Sequence, residues 1–267
     1  MGELILPLIS FTLKFKKMNR NEKIALIDGD SLIYYEMNKP TLQEALDGID
    51  ARINQMLTIT NAKHYAGFLT QGKCFRYNIA TTKPYKYNRK KGDKPIIFPA
   101  IKEHLKQIWG FTYIPELEAD DLVSVYHDPL QTVICSPDKD VLYQNKVSNY
   151  NYGKAEFTSV DENQALAFLW KQVLMGDSTD GITGIPKVGE KTAETWLKDL
   201  IPVEMPEFVL NKYIEKFGIA EGIHKFTETF KLIYILKTKE DVLRETGIEL
   251  PDLVTHEFKP AKQGELW

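Results

Sequence analysis

Acidic residues recur in this sequence directly after short apolar runs, and this arrangement constrains the fold more than any other feature. Asp28, Glu118 and Asp138 each stand just beyond such a run, and Asp177 follows the longer apolar segment 168–175. If the runs are parallel strands, their carboxyl ends lie at one edge of a sheet, where α/β proteins place their sites. The sequence therefore predicts an α/β fold in which acids from distant segments meet in one pocket.

The densest acidic cluster is the segment Glu118-Ala119-Asp120-Asp121. Three carboxylates within four residues repel one another, and each raises the pKa of the others unless a cation neutralises them. A site made only of oxygen ligands suits Mg²⁺, with Mn²⁺ as a substitute. The sequence has no histidine or cysteine cluster with zinc spacing. The pattern therefore predicts a carboxylate site for divalent ions.

Positive charge is concentrated in one part of the chain. The formal net charge is −3 over 267 residues, yet lysine and arginine far outnumber acidic residues between Lys73 and Lys106. Inside that stretch, the segment 81–95 (TTKPYKYNRKKGDKP) interleaves cations with two tyrosines. Such a mixture suits a phosphate backbone with stacked bases, although a solvated loop could have the same composition.

The length and the 43% hydrophobic content predict one large domain or two unequal domains. The first eighteen residues carry an apolar run that is too short to span a bilayer and lacks the basic start of a secretory signal. Met18 could equally be the start of the protein. The two cysteines, Cys74 and Cys135, lie in strand-like runs, which favours buried thiols in a reducing cytosol. We therefore expect a cytoplasmic protein without a membrane partner. We also expect a monomer, because no hydrophobic seam in the sequence suggests a dimer.

Apolar periodicity predicts the elements around these motifs. The expected strands are 24–27, 64–69, 74–79, 111–114 and 132–135. The expected helices are 41–57, 98–108 and 160–175, the last of them ended by Gly176. Beyond residue 200 the apolar residues recur with helical spacing, which indicates structural packing.

The segment 181–197 (GITGIPKVGEKTAETWL) predicts an anion-binding turn. Gly184 and Gly189 flank a short apolar turn that leads into a helix beginning near Glu190. Backbone amides at such a turn and helix start bind anions. Lys187 and Lys191 add positive charge, so this segment is a candidate for contact with phosphate.

The order of these motifs resembles the 5′ nuclease family of flap endonucleases and 5′ to 3′ exonucleases, and most closely its compact phage members. The matching motifs are IDGDS at 27–31, PYKYNR at 84–89, EADD at 118–121, SPDKD at 136–140 and MGDSTDGITGIPKVGEKTA at 175–193. The resemblance implies a central mixed, mostly parallel sheet flanked by helices, as in PIN-like nucleases. It also implies a helical C-terminal region with a helix–turn–helix element that grips duplex DNA.

On this basis we divide the chain into an N-terminal extension (1–18), a nuclease domain (19–175) with a basic arch at about 80–110, and a helical DNA-binding region (176–267). The metal ligands implied by the resemblance are Asp28, Glu118, Asp120, Asp121, Asp138, Asp140, Asp177 and Asp180. Lys86 and Arg89 match the family's basic pair that contacts the scissile phosphate. The candidates for DNA contact are Arg76, Lys83, Tyr85, Tyr87, Lys90, Lys91, Gly184, Lys187, Gly189, Lys191 and Thr192.

The resemblance implies two Mg²⁺ ions, replaceable by Mn²⁺, and a K⁺ ion at the turn from Gly184 to Gly189. The implied substrate is duplex DNA with a 5′ end, flap or nick, or an RNA/DNA hybrid, in a phage-infected bacterial cell. Three positions depart from the family pattern. Gln71 aligns with an aspartate that usually follows the second strand, Gly181 replaces a common asparagine, and Lys187 stands where glycine is frequent.

Two other functions remain open at this point. The sequence Asp28-Gly29-Asp30 resembles the nucleophile and acid pair of a haloacid-dehalogenase-like phosphatase, but that reading leaves the EADD motif and the basic stretch unexplained. A structure-specific DNA-binding protein with a decayed catalytic site would account for Gln71. Release of inorganic phosphate from small monoesters would identify the phosphatase, and binding of a flapped duplex without cutting would identify the decayed nuclease.

Overall fold

The computed structural model describes residues 22–89 and 95–259. The predicted extension 1–18 and the predicted DNA-contacting residues Lys90 and Lys91 lie outside the described residues. No helix within the described ranges is both long enough and apolar enough to cross a membrane.

A six-stranded sheet in the order β5-β4-β3-β1-β2-β8 forms the centre of the molecule, and a two-stranded hairpin pairs β6 with β7. The strands are β1 (Lys23–Asp28), β2 (Ala62–Phe68), β3 (Thr132–Cys135), β4 (Val147–Asn151), β5 (Glu156–Val160), β6 (Gly176–Asp177), β7 (Ile182–Thr183) and β8 (His256–Glu257). β1 pairs in parallel with β2 and β3, and β3 pairs in parallel with β4. β5 and β8 are antiparallel edge strands, so the predicted mixed, mostly parallel sheet is confirmed.

Eleven helices lie within the described part of the chain. They are α1 (Gly29–Glu36), α2 (Leu42–Ile59), α3 (Arg76–Ile79), α4 (Phe98–Gln107), α5 (Ala119–Val125), α6 (Lys139–Gln144), α7 (Glu162–Met175), α8 (Glu190–Leu197), α9 (Met205–Phe217), α10 (Ile219–Ile233) and α11 (Lys239–Thr246). The predicted helices 41–57, 98–108 and 160–175 are thus confirmed. α7 ends at Gly176, whose φ of 77° is a backbone conformation that favours glycine.

The four inner residues of the central strand β1, Ile24 to Ile27, are all apolar because both faces of the sheet are covered. Ala25 and Ile27 pack in the core that α2 and α4 share, whereas Ile24 and Leu26 pack with α5 on the opposite face. A third core joins α7 to α8, α9 and α10 and contains Trp170. The predicted helical packing beyond residue 200 is therefore confirmed, and the domain boundary at 175 stays a prediction.

Two predicted strands are wrong. Residues 76–79 form the short helix α3, and Cys74 makes only an isolated bridge with Glu116. The segment 111–114 contributes a single bridge, between Thr112 and Phe68. Phe111 instead fills the space over Gly67, where a Cβ atom would lie 2.2 Å from its ring. Its apolar character therefore serves packing onto the sheet rather than a continuous strand.

The sheet register determines where the functional side chains lie. Asp28, the last residue of β1, is level with Phe68 at the end of β2, and Ile27 is level with Cys135 at the end of β3. Segments leaving the three strands therefore begin at the same edge. α1 starts directly after Asp28, and α6 starts after Asp138.

Arg76 joins the C-terminal helices to the α/β core. Its guanidinium group is buried and lies 2.7 Å from each carboxylate oxygen of Asp121, and it also donates to the carbonyl oxygens of Leu232 and Tyr234. Asp121 is fully buried and accepts a further hydrogen bond from the backbone N–H of Leu236. The structure differs from two predictions here. Arg76 is buried in this ion pair rather than exposed to DNA, and Asp121 is fully buried and turned towards Arg76 rather than towards the other predicted ligands.

Replacing Arg76 with alanine should lower the free energy of unfolding by about 3–5 kcal/mol, because Asp121 would be left buried without its partner charge. Urea denaturation measures this loss. Lys73→Ala removes an exposed cation three residues away and is the matched control, with an expected change within about 0.5 kcal/mol. Equal stability of the two variants would contradict the structural role of Arg76.

Candidate active site

The carboxyl ends of the parallel strands open onto a cavity of about 320 Å³. The acids that line it are Asp30, Glu118, Asp120 and Asp138, and the cations are Lys86, Arg89 and Lys102. Polar side chains from α1, the β2 exit, α4, α5 and the start of α6 therefore converge, although they are far apart in sequence.

A smaller cleft of about 30 Å³ adjoins this cavity, since Glu118 and Asp120 line both spaces. Asp140, Asp177 and Asp180 line the smaller cleft. Six of the eight predicted ligands thus line two adjoining spaces, whereas Asp28 and Asp121 line neither of them.

Asp28 lies at the end of β1 among these acids. It is fully buried, and its carboxylate accepts hydrogen bonds from the backbone N–H of Ser31 and from the hydroxyl of Ser136, at 3.2 and 2.8 Å. Burial raises its pKa to about 6, and the negative charge of Asp30 adds to the shift. Burial also raises the pKa of Asp120 well above its ordinary value, with further contributions from Asp28 and Asp138. Burial is therefore the main cause of both shifts, and the charges of the neighbouring carboxylates add to it.

Asp138 and Asp140 are positioned by the start of α6. Asp138 is the N-cap residue of this helix and accepts a hydrogen bond from the N–H of Asp140 at 2.8 Å. Burial raises the pKa of Asp138, and burial followed by the charge of Asp138 raises the pKa of Asp140 to about 6. Gln172 donates to Asp140 at 2.6 Å, which ties α7 to the site.

Lys86 and Arg89 lie where the two spaces meet. The Lys86 ammonium is 2.5 Å from a Glu118 oxygen and 3.5 Å from Asp180, and Arg89 is 2.5 Å from Asp180. Burial alone would raise the pKa of Glu118, but the charges of Lys86 and then Arg76 outweigh burial and hold it at about 2. Arg89 is half exposed, so its side chain can also face a ligand.

The donor set fits a divalent cation of the magnesium type. All of the candidate ligand atoms are carboxylate oxygens, which magnesium prefers. Burial, with a further contribution from neighbouring acids, raises the pKa values of Asp28, Asp120, Asp138 and Asp140, and a bound cation would favour their charged forms. Among the described residues, no group of three or more acids, histidines or cysteines has the geometry needed to coordinate a metal ion. Glu118 and Asp180 instead direct their oxygens at protein cations.

The tyrosines near the site have different environments. Tyr85 is buried, and its hydroxyl lies 2.9 Å from Glu118 and 3.0 Å from Asp180, so the prediction that it stacks on a base is wrong. Tyr87 is exposed, with the ammonium of Lys83 5.5 Å from its ring centre. Gly181 packs under Tyr87, because a Cβ atom there would lie 2.7 Å from the ring. This contact and a φ of 72° both favour glycine at the position where the family commonly has asparagine.

The turn before α8 carries the remaining predicted DNA contacts. Gly184 is buried, and a Cβ atom there would lie 2.3 Å from the N atom of Gly176, so this glycine serves close packing of the backbone rather than contact with DNA. Lys187 is exposed and has a φ of 69°, a conformation that glycine adopts most easily, which agrees with the glycine frequent there in the family. Gly189 and Lys191 are exposed and Thr192 is half-buried at the start of α8.

Sequence reasoning missed several residues of the cavity. Thr70, not Gln71, lines it at the exit of β2, while Gln71 is exposed and accepts a hydrogen bond from Lys106. Tyr34 and Tyr77 also line the cavity with partly exposed rings. Tyr34 lies one helical turn after Asp30, and this i, i+4 spacing was the signal that could have identified it.

No protein-family model matches the chain. Among curated proteins, it is similar to DNA polymerase I of Bacillus subtilis, with 30% identity over 216 residues that cover 70% of this chain and 24% of that protein. It is also similar to the flap endonuclease Xni of Shewanella woodyi, with 23% identity over 65% of this chain and 76% of that protein. The chain therefore spans a minor part of the polymerase and most of the shorter flap endonuclease.

Solved structures share the fold. The T5 D15 protein co-crystallised with metal ions superimposes with a TM-score of 0.68 and 15% identity, covering 85% of this chain and 97% of that one. The bacteriophage T5 D15 flap endonuclease in complex with DNA and metal ions gives a TM-score of 0.61 over 83% of this chain. The chain is also similar to the 5′-3′ exonuclease of Mycoplasmopsis pulmonis, with 27% identity over 71% of this chain and 70% of that protein. The predicted resemblance to the 5′ nuclease family is therefore confirmed: this chain is similar in sequence to a flap endonuclease and to a 5′-3′ exonuclease, and it shares the fold of the T5 D15 protein.

Proposed function

We propose that this chain is a divalent-metal-dependent 5′ nuclease that hydrolyses phosphodiesters at 5′ ends or 5′ flaps of duplex DNA. The observation that carries this proposal is the convergence of acids from α5, α6 and the β6–β7 hairpin on two adjoining spaces that share Glu118 and Asp120. The names of the curated relatives, flap endonuclease and 5′-3′ exonuclease, support it.

The two spaces suit two divalent ions, which when bound supply an activated water on one side of the phosphorus and charge neutralisation of the leaving oxygen on the other. Asp138, together with Glu118 and Asp120, would hold one ion. Asp140, Asp177 and Asp180 would hold the other ion. Asp28 would lie near both ions. Mg²⁺ suits such oxygen ligands, and Mn²⁺ is the expected substitute.

Lys86 and Arg89 would bind the scissile phosphate. Both side chains lie beside the acids and are held there by Glu118 and Asp180, so their positive charge is fixed before the substrate arrives. Preorganised cations of this kind stabilise the charge that develops on a phosphate in the transition state. The exposed rings of Tyr34 and Tyr77 are positioned to receive the face of an unpaired terminal base.

The turn that leads into α8 would grip the duplex away from the cut. Its exposed lysines, Lys187 and Lys191, stand beside backbone amides at a helix start, where phosphate binds readily. We place the predicted helix–turn–helix element and the predicted K⁺ site in this segment. We also include RNA/DNA hybrids among the proposed substrates. A phosphatase would leave these basic features without a use.

Asp138→Asn should abolish Mg²⁺-dependent cleavage of a 5′-labelled duplex and leave duplex binding largely intact, because the amide keeps the helix cap and removes the ligand charge. Product analysis on matched 5′-flap, blunt, nicked and RNA-primed substrates measures the effect. Asp161→Asn changes another N-cap aspartate, at the start of α7, and is the matched control. Undiminished cleavage by Asp138→Asn would refute the assignment, and binding without cleavage by the natural sequence would identify a decayed nuclease.

Asp120→Asn should stabilise the metal-free protein while it abolishes cleavage. Because the folded protein raises the pKa of Asp120 above the unfolded value of 3.8, its ionisation at pH 7.5 opposes folding. The amide removes this cost, and the melting temperature in EDTA should rise by about 2–4 °C for each kcal/mol relieved. The gain should shrink as the pH falls towards the unfolded pKa of 3.8 and vanish below it, where the acid is protonated in both states. A lower melting temperature at pH 7.5 would contradict the crowding of charge at this position.

Lys187→Gly should weaken duplex binding without loss of stability, because glycine suits the positive φ at this position. Loss of one phosphate contact should reduce the slope of log affinity against log salt concentration by about 1. Fluorescence anisotropy at several salt concentrations measures the slope. Lys198→Ala removes an exposed lysine at the other end of α8 and should leave the slope unchanged; the same slope for both variants would argue against the turn as a DNA contact.

A further inference from the structure

We propose that Asp30 is an additional acidic ligand of the divalent-ion site and supplies the carboxylate that the exit of β2 lacks. This inference rests on the proposed function. Asp30 is not among the ligands that the family resemblance implies, and as an acid near the start of α1 it could simply cap that helix.

The exit of β2 carries no acid. Residues 69–76 read LTQGKCFR, and the two residues closest to the strand end are neutral. Gln71 is directed away from the cavity, towards Lys106, at 3.2 Å. Thr70 does line the cavity, but its hydroxyl accepts a hydrogen bond from the N–H of Ala119 at 3.0 Å. A metal-binding carboxylate at the exit of β2 must therefore come from another segment of the chain.

The sheet register brings Asp30 to this point. Asp28 is level with Phe68 in the parallel pair β1–β2, and Asp30 and Thr70 each lie two residues farther along their segments. The backbone N–H of Thr70 accordingly lies 3.2 Å from both carboxylate oxygens of Asp30. Asp30 is thus fixed beside the end of β2, although it belongs to the segment that leaves β1.

Helix capping does not account for Asp30. The N-cap of α1 is Asp28, whose side chain accepts a hydrogen bond from the N–H of Ser31. Asp30 stands in the first turn and turns its carboxylate across to Thr70 and into the cavity that Glu118 and Asp120 also line. Lys102 of α4 faces the same space, and its ammonium donates to the carbonyl oxygen of Thr70. Asp30 therefore has the position and the chemistry of an ion ligand rather than those of a cap.

The test measures Mn²⁺ binding by calorimetry in the absence of DNA, so that the readout does not depend on cleavage. Asp30→Asn should weaken Mn²⁺ binding on the order of 10- to 100-fold, the range typical for loss of a group that supports a metal site. Asp30→Asn combined with Thr70→Asp should restore binding, because an acid then returns to the exit of β2. Asp47→Asn, which changes an exposed acid on α2, should bind as the natural sequence does.

Unchanged Mn²⁺ binding by Asp30→Asn, with binding weakened by Asp138→Asn, would overturn the role of Asp30 and leave the nuclease proposal standing. Unchanged binding by both variants would instead overturn the metal site itself. Circular dichroism checks folding, and Asp30→Ser takes the place of the amide variant if that variant does not fold. Failure of Thr70→Asp to restore binding in a folded double variant would show that the charge is needed at Asp30 for another reason and would also overturn the inference.

Discussion

Repulsion among crowded carboxylates with little access to solvent is the constraint on which the rest of this structure depends. Parallel pairing of β1 with β2 and β3 brings the ends of these strands to one edge of the sheet. Asp28, Asp120 and Asp138 therefore lie close enough for their charges to interact. Burial and crowding raise the pKa of each of them. A fold that retains such a cluster gives up stability at this edge, which is common where a site must bind a cation.

The cations of the site divide into two kinds. Arg76 is buried, and its bonds to Asp121 and to the carbonyl oxygens at the end of α10 make it part of the fold. Lys86 and Arg89 line the cavity and pair with Glu118 and Asp180. Glu118 touches both kinds, since it pairs with Arg76 as well as with Lys86. The same short segment therefore supports the core and the site.

The sheet and the gathering of acids could be predicted because both follow from apolar runs and from where those runs end. The direction of individual side chains could not. Asp120 and Asp121 are neighbours, yet α5 turns one towards the cavity and the other towards Arg76. At the exit of β2, the residue that lines the cavity is Thr70, one position before Gln71, which the sequence comparison had placed there. Tyr85 was misassigned because its burial depends on Glu118 and Asp180, which are distant in sequence.

The central claim is that divalent ions occupy the spaces between these acids. The most direct test is a crystal structure of the protein soaked in Mn²⁺, with anomalous scattering used to locate the ions. The account predicts anomalous peaks in the two adjoining spaces on either side of Glu118 and Asp120. Peaks confined to surface acids, with these spaces free of metal at saturating Mn²⁺, would contradict it.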